Sequence, residues 1–193
     1  MDEKRFLIII FVLSSLFNIA ISFFIELWPL GHDPISHYQD ALGILDGKLP
    51  ADRTFLYNGI LSIFLYFKRD YWVAQIVNAF ISSLFIIPFY YIAKKHFGKK
   101  NAVWSLILIC IIPFRIFGVA TTSKLLATFF IFIVYYFVLE KRYSWWIVMA
   151  SILAFLTHQL SLFFLIPAFY LILRDDWKRA IYLASLLGLV IIT

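Results

Sequence analysis

The chain has 193 residues, 63% of them hydrophobic and 20% aromatic, with only 15% charged and a mean hydropathy of +0.91. Soluble domains run at ~45–50% apolar and ~25% charged, so a soluble globular protein is excluded, as are collagen-like and disordered classes. The net charge of +6 comes from short Lys/Arg clusters between apolar runs, which read as topology signals of a polytopic membrane protein and not as a nucleic-acid surface. With Cys110 alone, neither an intrachain disulfide nor a thiolate metal cluster is available.

Met1–Arg5 opens the chain with charge, and a largely apolar run follows from Phe6 to Leu30. As helix that run spans ~37 Å, more than the ~30 Å hydrocarbon core and too long for a signal-peptide core. It reads as an uncleaved anchor with Lys4 and Arg5 in the cytoplasm, which places Gly31–Arg53 on the opposite side. Within that loop, Ser36–Leu45 has helical spacing, with Ile35, Tyr38, Ala41, Leu42 and Leu45 on one side, and Gly47 and Pro50 end it. It is expected to lie flat on the membrane. Thr54–Phe67 is short for a span and suits an interfacial segment.

Tyr71–Ala93 then returns the chain, so that Lys94, Lys95, Lys99 and Lys100 lie inside. Asn101–Gly118 goes out and Leu125–Leu139 comes back. Tyr143–Leu173 has basic residues on both flanks, which predicts a tight hairpin of two short helices turning near Thr157-His158-Gln159 on the outer side. Ala180–Thr193 starts a seventh crossing and stops after ~21 Å, as expected of a fragment. Eleven of the 17 Lys and Arg residues fall inside under this arrangement. The expected fold is therefore an all-α, polytopic transmembrane bundle of about seven helices, the last incomplete. Interfacial helices occupy the first external loop (31–70), and residues 1–193 form a single membrane domain.

Chemistry concentrates in that loop. A carboxylate at a membrane boundary is suited to accept a proton, and Asp33 is the best placed; the competing reading is a turn or helix cap. Asp40 is the reserve candidate, two turns along the same face if the helix extends back to Asp33. His32 and His37 flank Asp33, but the spacing is not that of a metal site, and solvated surface histidines are expected. Glu26 and Arg115 are ionisable groups near helix ends, where snorkelling competes with function. Arg115 and Lys124 both lie on the outer side and suit an anionic lipid phosphate. His158 sits at the hairpin tip, as a cap or as a contact to substrate. Gln75 and Asn78 share a helix face and read as interhelical contacts.

Asp33, Tyr38, Ala41, Leu45 and Gly47 together resemble the first external loop of the GT-C superfamily of membrane glycosyltransferases, which includes the protein mannosyltransferases and the aminoarabinose transferase. The similarity continues through Ala74-x-x-x-Asn78, through Ile92-Ala93-Lys94-Lys95-His96-Phe97-Gly98-Lys99, a helix ending near Pro113, and Leu156-Thr157-His158. Where many members have a second acidic residue and a Pro-Pro-Leu element, this chain has Pro34 and Tyr57-Asn58-Gly59. The resemblance implies inverting sugar transfer from a polyprenyl- or dolichyl-phosphate donor to an acceptor hydroxyl at the non-cytoplasmic face, with Asp33 as general base. His37, Tyr38, Arg115, Lys124 and His158 are the substrate-binding candidates. The partners implied are a lipid-phosphate-linked sugar, an acceptor the sequence does not identify, and membrane lipids, with no nucleic acid. No cofactor is expected, and nothing indicates a divalent metal. Two other classes stand beside this one: a non-catalytic subunit or lipid-sugar carrier on the same framework, and a small transporter. The transporter is disfavoured because the ionisable positions lie near the outer ends of helices and not at mid-membrane.

Overall fold

A computed structural model describes residues 2–24, 33–50, 54–111 and 123–192, and every regular element among them is a helix. In chain order these are α1 (Glu3–Phe24), α2 (Asp33–Leu45), α3 (Phe55–Leu65), α4 (Tyr71–Leu84), α5 (Ile86–Ile111), α6 (Lys124–Leu139), α7 (Trp145–Thr157), α8 (Ser161–Asp175) and α9 (Trp177–Ile192). The segments Glu3–Ser22 and Tyr71–Cys110 are long and apolar enough to cross a membrane. Glu26, His32 and Arg115 lie outside the described residues.

α1 is turned inside out relative to a soluble amphipathic helix. Ser14, Asn18 and Ser22 are buried, while Ile9, Leu13, Leu16 and Phe17 are exposed. Small polar residues inward and large apolar residues outward is the pattern that lipid imposes, because close packing and hydrogen bonds replace the hydrophobic effect between helices. The polar stripe meets α4: Asn18 Nδ2 donates to Ser82 Oγ at 2.8 Å, and the Ser14 and Ser83 hydroxyls lie 3.0 Å apart.

α4 begins where Asp70 accepts a hydrogen bond from the Trp72 N–H at 3.0 Å, a standard N-cap. It breaks at Phe85 because Pro88, three residues on, has no N–H for the Leu84 carbonyl. α5 is interrupted at Gly98, whose φ of 77° and ψ of 166° leave the helical region. The break falls within the lysine cluster where the sequence places a return to water. Tyr90 and Ala93 before it share an apolar cluster with Ala102 and Leu106 after it, together with Leu7 of α1. The expected hairpin is present: α7 stops at Thr157, His158 caps it in extended backbone, and α8 starts at Ser161. α6 to α9 pack around a second cluster that includes Val134, Ile147, Leu165, Ile172 and Leu183.

Charged groups gather at one end of the bundle. Lys94 Nζ pairs with Glu3 at 2.7 Å, Lys95 Nζ with Glu140 at 2.8 Å and Lys141 Nζ with Asp175 at 3.3 Å, while the Tyr143 hydroxyl donates to Asp175 at 2.9 Å. Since α6 runs away from its Glu140 end and α7 from its Ser144 end, Lys124 and His158 lie at the other end of the bundle. α2 and α3 reach that end too, through a cluster joining Ala41, Tyr57 and Leu61 to Ala74 and Leu126.

One expectation changes here. The apolar side of α2 does not lie open for a membrane surface: Ala41 is fully buried, and Tyr38, Leu42 and Leu45 pack against the α3 and α4 side chains. Burial against protein removes the same area from water as burial in lipid, and α3 supplies a complementary face. α2 ends in a Schellman motif, as the glycine signal predicts: Gly47 has a φ of 76°, and the Lys48 N–H returns to the Gly43 carbonyl at 2.9 Å.

Candidate functional site

α2 extends back to Asp33, so Asp33, His37 and Asp40 stand at i, i+4 and i+7 and share one helical face. The Asp33 side chain itself lies outside the described residues. His37 is buried, with 6% of its surface exposed, which corrects the expectation of a solvated histidine. The reason is the next helix. Asn58 on α3, fully buried, accepts from His37 Nδ1 through Oδ1 at 3.0 Å, and donates through Nδ2 to Asp40 Oδ2 at 3.2 Å and to Thr54 Oγ1 at 3.1 Å. The Thr54 hydroxyl also lies 3.4 Å from His37 Nδ1.

Tyr57 underlies this network. Its ring meets the His37 ring edge-on at a centroid distance of 5.1 Å, and its hydroxyl donates to Asn78 Oδ1 of α4 at 2.9 Å. Burial, and behind it the neighbouring Tyr71, push the Tyr57 phenol well above the ordinary tyrosine range, which keeps the proton on the donor. Asn78 thus makes the interhelical contact its position predicts. Tyr38 is engaged elsewhere: its hydroxyl donates to the Arg69 carbonyl at 3.3 Å, and its ring stacks edge-on against Tyr71. Among the described residues no three His, Cys, Asp or Glu side chains converge as a metal site.

The second part of the site lies between α6 and α8. A cavity of about 440 Å³ is lined by apolar side chains such as Ile131, Phe132 and Phe164, with Lys124, Thr128, His158 and Ser161 supplying polar atoms. Ser161 is 2% exposed, and its hydroxyl has no hydrogen-bond partner among the described residues. A buried hydroxyl left unpaired is costly. The slot surface is almost wholly apolar, suited to a hydrocarbon, and Lys124 and His158 border it.

The structure therefore brings His37 and Asp40 into one network and Lys124 and His158 into one cavity. The two groups occupy the same end of the bundle. Asn58, the residue that binds the first group together, was missed by the sequence reading. Its only sequence signal is an Asn inside an apolar stretch, on the α3 face that also carries Tyr57 and Leu61.

The comparisons bear on identity. No curated protein and no solved structure matches the chain significantly. The family model described as dolichyl-phosphate-mannose-protein mannosyltransferase matches residues 52–193. That stretch contains Asn58, Lys124 and His158, while Asp33, His37, Tyr38 and Asp40 precede it. It covers about three quarters of the 193 residues, and the chain belongs to this family of GT-C-type integral membrane glycosyltransferases.

Proposed function

We propose that the protein transfers a sugar from a polyprenyl- or dolichyl-phosphate-linked donor to an acceptor hydroxyl, with inversion, at the non-cytoplasmic face of its membrane. The observation that supports this reading is the slot between α6 and α8, an apolar cavity bordered by Lys124 and His158. A lipid phosphate combines the same two chemistries, an anion and a hydrocarbon tail. Arg115, outside the described residues, is the further cation assigned to that phosphate.

Asp33 is the proposed base. The acceptor oxygen attacks the anomeric carbon from the face opposite the phosphate, its O–H proton passes to the Asp33 carboxylate, and the anomeric C–O bond breaks with its electron pair leaving on the lipid phosphate. Asp40 is the reserve base, and His37 and Tyr38 complete the α2 side of the substrate site. No cofactor is assigned to this step.

The proposed arrangement in the membrane has about seven crossings, with the N-terminus in the cytoplasm and α2 and α3 in the first external loop. It is supported by the gathering of Glu3, Lys94, Lys95, Glu140, Lys141 and Asp175 at one end, because basic clusters mark the cytoplasmic side.

The test is sugar transfer from a polyprenyl-phosphate sugar in liposomes, comparing wild type with Asp33→Asn. The amide keeps size and hydrogen-bonding shape but loses basicity, so turnover should fall ~10²–10⁴-fold while donor binding survives. An equally active Asp33→Asn removes Asp33 as the base. No transfer by the intact protein, with donor still bound, moves the reading to a non-catalytic subunit or carrier.

A further inference from the structure

α3 and α4 form an antiparallel hairpin. The link between them is Tyr66–Asp70, yet Tyr57, near the far end of α3, still reaches Asn78 of α4 with its hydroxyl at 2.9 Å. At the helical rise per residue, both helices have then run ~10–12 Å from the link side by side. Leu61 and Leu65 share an apolar cluster with Ala74 and Val77 along that stretch. The hairpin therefore stands along the bundle axis, whereas the length of Thr54–Phe67 alone suited a segment lying in the membrane surface.

Its height follows from α5 and α6, which run in step. Tyr91 meets Tyr136 at a ring-centroid distance of 5.7 Å, Lys95 Nζ meets Glu140 at 2.8 Å, and Phe85, just ahead of α5, meets Phe132 at 6.2 Å. Counted back from Lys95 and Glu140, Lys124 is level with Ala79 at ~24 Å, and the hairpin tip at Asp70 stands at ~37 Å. The hydrocarbon core is ~30 Å thick. With the charged end at one membrane surface, α6 stops ~6 Å short of the other, and the tip passes it by ~7 Å.

The side chains at the tip suit that level. Tyr66 is 75% and Phe67 81% exposed, and Ile63, Phe64 and Trp72 are open beside them. Aromatic rings of this kind gather at the headgroup layer. Lys68 and Arg69 pair with Asp70 at 3.4 Å and Asp46 at 3.0 Å, so the tip matches headgroups that also carry both signs. The open face continues the lipid-facing surface of α1: Trp72, Ile76 and Phe80 are exposed at four-residue spacing along α4, and the Phe80 ring lies 6.5 Å from that of Phe11.

We propose that the α3–α4 hairpin is a membrane prong that passes upright through the hydrocarbon surface and seats Phe64, Tyr66 and Phe67 among phospholipid headgroups. Lys124, His158 and Asn58 then lie ~5–6 Å beneath that surface. The placement rests on the membrane arrangement of the proposed function and not on sugar transfer. Beside the shorter α6 to α8 the leaflet thins to meet the helix ends, as hydrophobic mismatch requires.

The test measures depth in the bilayer. In full-length protein carrying Cys110→Ala, single spin labels at Ile60→Cys, Ile63→Cys and Phe67→Cys, all on the outward face of α3, are compared in liposomes of zwitterionic phospholipid. Collisions with oxygen, which concentrates in hydrocarbon, against those with a water-soluble nickel chelate give each label's depth. The Ile60 label should lie at the hydrocarbon surface, with the Ile63 and Phe67 labels ~4–5 Å and ~10 Å further out. Equal depths would mean a flat α3, and bulk-water nickel accessibility at all three would mean a hairpin clear of the membrane; either overturns the proposal. Ile63 and Phe67, both exposed, decide the matter even where Ile60→Cys fails to fold. A label at Leu13→Cys, on the exposed side of α1, should lie deep in the hydrocarbon. If it does so while the α3 labels fail, only the prong is refuted; if it too lies in water, the membrane arrangement falls with it.

Discussion

Tyr57→Phe isolates a single hydrogen bond on which the placement of α3 depends. The ring is fully buried and packs edge-on against His37, and Phe preserves both its volume and that contact. Only the hydroxyl is lost, with its 2.9 Å bond to Asn78 Oδ1. Both residues are 0% exposed, so water does not replace the missing donor. The net worth of a neutral hydrogen bond is ~0.5–1.5 kcal/mol, so the variant should lose about 1 kcal/mol. About 1 kcal/mol corresponds to roughly a fivefold shift in the folding equilibrium. Each single variant removes the same bond, so Tyr57→Phe/Asn78→Leu should lose less than the sum of the two single variants. Reversible denaturation of the four proteins in mixed micelles gives the coupling energy directly. Tyr57→Phe with wild-type stability, or strictly additive losses, would refute the view that this bond holds α3 on α4.

Two further perturbations probe the other end of the bundle. Glu140 and Asp175 are both held below the ordinary carboxylate range, Glu140 by the hydrogen bond from Lys95 and Asp175 by the Tyr143 hydroxyl and then Lys141. A lowered folded pKa contributes stability above the unfolded value and loses it as pH falls through the folded one, so the thermal midpoint should drop below about pH 4. Lys95→Gln and Tyr143→Phe should each flatten that drop; a decline beginning above pH 6, unaltered in both, would refute the assignment. Gly98→Ala should destabilise by ~1–3 kcal/mol, because a φ of 77° with a ψ of 166° is essentially closed to side-chain-bearing residues, while the space around the added methyl is open. Wild-type stability on chemical denaturation would contradict the kink.

The features legible in the sequence were those with short-range or charge signatures. Basic flanks on both sides of Tyr143–Leu173 required an even number of passes, and the helices meet at 158–160, where the polar triplet stands. The apolar face of α2 was readable from spacing alone, and Gly47 marked its end. What covers that face was not readable, since Tyr57 and Leu61 reach it only through tertiary packing. The site divides in the same way. Asp40, His37, Lys124 and His158 stood out as polar residues near predicted helix ends, whereas the burial of His37 depends on Asn58, 21 residues away and inside an apolar run. The polar interior of α1 also follows from its partner: Asn18 is satisfied by Ser82 and Ser83, more than 60 residues distant.

The charged end of the bundle also has a mechanical meaning. Lys94–Glu3, Lys95–Glu140 and Lys141–Asp175 tie α1, α5, α6 and α8 at one level, as a rivet holds the blades of a fan. Each pair is partly exposed and individually weak, so it reforms readily after small rotations. α6, α7 and α8 are 16, 13 and 15 residues long, which gives levers of ~20–24 Å. A tilt of ~10° about the riveted end then displaces the far end by ~4 Å, about the thickness of one hydrocarbon chain. The slot bearing Lys124, His158 and Ser161 lies at that far end. On the proposed function, a splay of that size between α6 and α8 would admit a lipid tail from the side, with the buried Val134 and Ile172 contacts near the rivet left in place.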